Sequence, residues 1–204
     1  GLSENEANAL HYVLWSKKGS ELDISNHRES IARWLNNPKS AADLVEVAQW
    51  RRTVHPFTTH AIDLGYPCSL RIHAAYGYRE ITAAFGKATI NSSGPAGVGV
   101  IHIEELKTYI HFVTFRKEDK DFAPTTRYKD YPISRTRLHW ESQAGTTKAS
   151  ATGQNYIHFK ERGYTILFFA RLEKKQEGET SPFLFLGPAE SLESYESNRP
   201  IKMI

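Results

Sequence analysis

From Val98 onward the chain changes its hydrophobic period, and that change restricts it to helices first and sheet afterwards. Val98, Val100, Ile101 and Ile103 lead to a polar turn at Leu106-Lys107, and Tyr109, Ile110, Phe112, Val113 and Phe115 follow. Alternation of this kind predicts paired strands over 98–105 and 108–115. Further strands are expected at 137–141, 155–159, 164–172, 183–188 and 190–196. The turn pairs Ala144-Gly145, Thr152-Gly153, Glu177-Gly178 and Gly187-Pro188 punctuate them.

Upstream the period is helical. Residues 5–15 place Ala9, Leu10, Val13 and Leu14 on one side. Ser25 is positioned to cap a helix carrying Ile31, Ala32, Trp34 and Leu35, which Asn36-Asn37-Pro38 would stop. Ser40 can cap a third helix over 41–50, where Leu44, Val47 and Ala48 share a face. A short helix around 78–85 would close at Gly86. The expected fold is α+β, with a helical segment over 1–64 and a curled, mostly antiparallel β-barrel over 65–204.

Several function classes lose support at this stage. One cysteine, Cys68, permits neither an intrachain disulfide nor a cysteine-based zinc site. No apolar run approaches the length of a bilayer span, so no membrane partner and a cytoplasmic location are expected. The nine histidines form no HExxH or HxH pattern; His102 and His111 read as strand histidines, and no bound metal or other cofactor is expected. Neither a phosphate-binding GxxxxGK[ST] loop nor a G-x-S-x-G elbow occurs. Glu105-Leu106-Lys107 matches half of a metal-dependent nuclease site. The acidic ligand it would need upstream has only Asp63 and Glu80 as candidates, one in a predicted loop and one on a predicted helix.

Charge points elsewhere. The formal net charge is +3, yet residues 107–175 hold 14 Lys/Arg against 7 Asp/Glu, a net of +7. Clustered positive charge is the footprint of a phosphate-bearing partner. Inside this block lies FAPTTRYKDYPISRTRLHWESQ, residues 122–143. Thr125, Thr126, Arg127, Lys129, Arg135 and Arg137 are candidates for backbone phosphate contacts. Tyr128, Tyr131, His139 and Trp140 are candidate walls for a base pocket, with Asp130 and Gln143 reading the edge of the base. The competing reading makes Tyr131 and Trp140 ordinary core, with Leu138 and Trp140 on the inward face of a strand.

Four ordered runs carry a family resemblance: GYPCSLRIHAAYGYREITAAFG (65–86), GVIHIEELKTYIHFVTFRKEDKDFAPTTRYKDYPISRTRLHWESQ (99–143), TGQNYIHFKERGYTILFFAR (152–171) and FLFLGPAESLESYESNRPIKM (183–203). Together they resemble the C-terminal domain-of-unknown-function 3427 family of bacterial proteins that join a phospholipase-D-type nuclease to a superfamily 2 helicase. SauUSI-type, modification-dependent type IV restriction enzymes are among these proteins. Family members often carry Ala where Pro132 stands and Arg where Ala75 stands. The resemblance implies an SRA- or PUA-like barrel that reads modified cytosine, of the 5-methylcytosine type, in double-stranded DNA by base flipping. It also implies a non-catalytic domain whose partners are the helicase and nuclease domains of the same parent chain. A protein-docking domain and a reader of phosphorothioate backbone stand beside it as alternatives.

Overall fold

The computed structural model describes residues 1–54, 59–95, 98–117, 130–198 and 200–204. By internal contacts the chain divides into two compact units, Gly1–Gly97 and Val98–Ile204. No described helix is long and apolar enough to cross a membrane.

The first unit begins with α1, Glu4–Trp15, opened by a capping box between Ser3 and Glu6. Its buried positions are Asn8, His11 and Tyr12, not the aliphatic side predicted from the pattern, and Val13 is exposed. Fixed partners make this polar face worth burying. Asn8 Oδ1 accepts from the Ile90 amide at 2.8 Å and from His27 Nε2 at 2.7 Å. His11 Nε2 donates to the Lys17 carbonyl at 2.9 Å, so Nδ1 accepts from the Ser30 hydroxyl at 2.8 Å.

The second helix, α2 (His27–Leu35), is capped by Asn26, one residue beyond the predicted Ser25. Ser25 instead bonds Glu29 through its amide and hydroxyl, both at 2.8 Å. The third, α3 (Pro38–Val54), begins earlier than predicted. Asn37 Oδ1 accepts from the Lys39 and Ser40 amides, and Pro38 fits the first turn because no amide is needed there. Leu44, Val45, Val47 and Trp50 on α3 are exposed, against the expectation of one covered face. After a two-residue strand β1 (Ala75–Tyr76), α4 (Tyr78–Ala84) ends where Gly86 adopts a φ of +69°, as its glycine predicted. Tyr12, Ala83 and Ala88 form the core between α1 and α4.

The second unit is the sheet-bearing part. β2 (Val100–Ile103) and β3 (Thr108–Arg116) form an antiparallel hairpin through the turn Glu104–Leu106 and Lys107, whose φ is +47°. A crossover then delivers β4 (Tyr131–Pro132), β5 (Leu138–Glu141) and α5 (Ala151–Ile157) before β6 (Thr165–Glu173). The small ribbon β7 (Lys175–Gln176) and β8 (Glu179–Thr180) follows, then β9 (Phe183–Pro188), β10 (Ser194–Asn198) and β11 (Ile201–Met203). Within this unit one sheet runs β9-β6-β3-β2 and another runs β10-β11-β5-β4. The pair β3–β6 is parallel, from Thr108 opposite Thr165 to Arg116 opposite Glu173. The other pairings in these sheets are antiparallel.

The α+β class therefore holds, but among the described residues the strands make open sheets and no closed barrel. One predicted strand is a helix. Residues 155–159 are expected as strand, yet 155–157 lie in α5 and His158 caps it, and Tyr156 and Phe159 are three residues apart, a helical spacing. Ser150 Oγ accepts from the Gly153 amide at 3.1 Å and starts the helix. Gly153, read as a turn residue, sits inside it, where an added Cβ would lie 2.0 Å from the Thr147 carbonyl oxygen. The last predicted strand, 190–196, begins only at Ser194. Tyr109, Val113, Trp140, Tyr156, Ile166 and Phe168 build the main core, and β3 and β6 are buried on both faces.

Candidate nucleic-acid interface

Of the residues that the sequence marks for recognition, Thr125, Thr126, Arg127, Tyr128 and Lys129 lie outside the described residues. Asp130, Tyr131, Arg135, Arg137, His139, Trp140 and Gln143 are brought together on and beside one hairpin, β4–β5. Its register sets Tyr131 opposite His139 and Pro132 opposite Leu138. The tip is closed by two amides that converge on one carbonyl: Ile133 at 2.8 Å and Ser134 at 3.1 Å from the Arg137 oxygen.

Strand alternation then sorts the aromatics. The ring of His139 is buried and lies parallel to that of Tyr131, with centroids 4.5 Å apart and planes 11° apart. Tyr131 is 48% exposed. One flat face of the phenol thus rests on a buried imidazole, and the residue keeps a large exposed surface. Arg135 and Arg137 are exposed on the same hairpin, with no ion-pair partner among the described residues. Trp140, expected as a pocket wall, faces the other way. It is 4% exposed, stacks on His111 at 4.3 Å, and meets Tyr156 and Phe168 edge-on. It belongs to the core, because residues 139 and 140 must point to opposite sides of β5.

The two expected edge-readers are engaged internally. Asp130 Oδ2 accepts from Lys117 Nζ at 2.6 Å, and Oδ1 accepts from the Glu141 amide at 3.0 Å. The Lys117 and Asp130 side chains are only 9% and 4% exposed. Burial pushes the Asp130 carboxyl above its ordinary range, and the Lys117 ammonium opposes that push without cancelling it. Gln143 Oε1 accepts from Thr146 Oγ1 at 3.3 Å and lies 3.4 Å from the Tyr156 hydroxyl. Both residues therefore position the hairpin and the segment after β5.

Sequence reasoning missed Lys117, whose charge lies just outside the 122–143 stretch and whose partner is revealed only by folding. It also missed the character of His111, which is 0% exposed with neither ring nitrogen hydrogen-bonded. Tyr156 and Phe168 stand edge-on to it, at 5.2 Å and 4.9 Å. Desolvation alone depresses the His111 pKa from 6.5 to about 3. Glu105 and Lys107 sit on the β2–β3 turn, while Asp63 and Glu80 belong to the first unit. Among the described residues no group of three or more His, Cys, Asp or Glu side chains could hold a metal ion.

A two-unit α+β chain whose sheet part presents a basic, aromatic hairpin is the class that fold and site define. The family model described as Domain of unknown function (DUF3427) matches residues 70–203, and the chain belongs to that family. The match takes in α4 and every strand of the second unit, and leaves α1, α2 and α3 outside. No curated protein matches the chain.

Proposed function

We propose that this chain is a non-catalytic DNA-recognition module that reads a modified cytosine, of the 5-methylcytosine type, in duplex DNA. In this reading the sheet unit works as an SRA- or PUA-like module that receives an everted base. It directs the helicase and nuclease domains of a type IV restriction protein to marked DNA. The observation that carries the reading is the β4–β5 hairpin. There the half-exposed Tyr131 ring, backed by His139, lies beside the exposed guanidinium groups of Arg135 and Arg137, within the basic central block. A base stacked on an aromatic face contributes ~1–3 kcal/mol, and flanking cations hold phosphates in a salt-dependent manner.

The placement of Trp140 shifts the proposed aromatic contact to Tyr131, with His139 as its support. Asp130 acts through position, since each of its oxygens already accepts a hydrogen bond. A second reading, a protein-docking domain, draws on α3 in the other unit, where Leu44, Val45, Val47 and Trp50 are exposed.

The test is a fluorescence-anisotropy titration against matched duplexes: unmodified, 5-methylcytosine, 5-hydroxymethylcytosine and phosphorothioate, each at two salt concentrations. The expected result is tighter binding of a modified-cytosine duplex that persists at the higher salt. Binding that ignores the modification and vanishes with salt overturns the reading and favours the docking domain.

A further inference from the structure

Ile133 stands at the tip of the β4–β5 hairpin and is 46% exposed, two residues from the half-exposed Tyr131. A single exposed aliphatic side chain is ordinary on a protein surface. Its company sets this one apart. Between Tyr131 and Trp140 the sequence contains no acidic residue, and Arg135 and Arg137 are exposed beside it. The tip is also held. The Ile133 and Ser134 amides share the Arg137 carbonyl, Thr136 N bonds Ser134 Oγ at 3.3 Å, and Pro132 limits the backbone just before the isoleucine. An apolar side chain on a braced, cationic projection has the chemistry of a wedge that enters a base stack while the cations grip the flanking phosphates.

Resting on the reading above, we infer that Ile133 is the residue that enters duplex DNA and fills the space left by the everted base, with Arg135 and Arg137 on the adjoining phosphates. The partner surface is a duplex at a disrupted step, so base-pair opening is part of what this hairpin recognises. No covalent step is involved. Exposure makes the inference tractable, because replacing Ile133 leaves the core intact.

The experiment uses the full chain and a 5-methylcytosine duplex with 2-aminopurine beside the modified base, whose fluorescence rises when stacking is lost. Wild type should give that rise at saturation. Ile133→Ala should lose most of it and bind about tenfold more weakly, a change of ~1.4 kcal/mol. Ile133→Leu should retain both properties. A duplex with an abasic site opposite the modified base should bring Ile133→Ala back to within about twofold of wild type, because the opening is already done. Wild-type fluorescence and affinity in Ile133→Ala would overturn the wedge and leave the recognition reading standing. Modification-selective binding by wild type with no 2-aminopurine rise would overturn it in the same way. If wild type binds no duplex at all, the recognition reading fails and takes the wedge with it.

Discussion

His111 is an imidazole that gains nothing from its polarity. It lies among Trp140, Tyr156 and Phe168, with the Tyr109 ring also in edge contact, and neither ring nitrogen meets a partner. Leaving a buried polar group unsatisfied costs ~1–3 kcal/mol. Its effect on stability has a definite sign. The folded-state pKa is about 3 against an ordinary 6.5, so between these values the unfolded chain binds a proton that the folded chain excludes. Stability is lost as pH falls from 6.5 toward 3, by up to about 1.4 kcal/mol per pH unit from this group. His111→Leu should leave the protein as stable as wild type or more so at pH 7. It should also reduce the slope of the urea midpoint between pH 6.5 and 4. An unchanged slope would mean that the imidazole is reached by water. Trp140 marks the limit of a local pattern. Its place in a basic, aromatic stretch was visible, but its burial depends on His111 and Tyr156, which are distant in sequence.

Among the elements, the long strands were the most legible. The patterns that became β3 and β6 are dense in β-branched and aromatic residues, and β9 alternates buried and exposed positions, so local preference and burial agree. The helix α5 was illegible because a glycine inside it answers a packing demand that no local pattern reveals, the close approach of the Thr147 carbonyl. The hairpin β4–β5 depends on a third kind of feature, the buried pair of Lys117 and Asp130. Removing one member of such a pair leaves an uncompensated charge. Lys117→Met should therefore destabilise the chain by ~3–5 kcal/mol in urea unfolding. The double substitution Lys117→Met with Asp130→Leu should recover much of the loss. If the two single effects simply add, the pair is not coupled and Asp130 is positioned by the Glu141 amide alone.

For the molecule as a whole, charge distribution was readable from composition and the sheet arrangement was not. The +7 segment includes the exposed Arg135 and Arg137. Replacing both by Ala should weaken binding of modified and unmodified duplexes alike. It should also lower the salt slope by about 1.8, some 0.9 for each phosphate left without its cation. An unaltered slope would remove these arginines from the DNA backbone. Strand spacing led to the expectation of a curled barrel, but several pairing partners lie far apart along the chain, which is why neither the open sheets nor the parallel centre was legible.

That parallel centre bears on how the protein is made. During synthesis β3 emerges with β2 already available to pair with it, whereas β6 begins only at Thr165, after β4, β5 and α5 have been produced. Until then the nascent chain carries a hairpin whose second strand has an unpaired, apolar edge, open to any passing strand. Truncation between residues 117 and 164 would leave that edge uncovered, and should yield aggregates instead of a smaller domain.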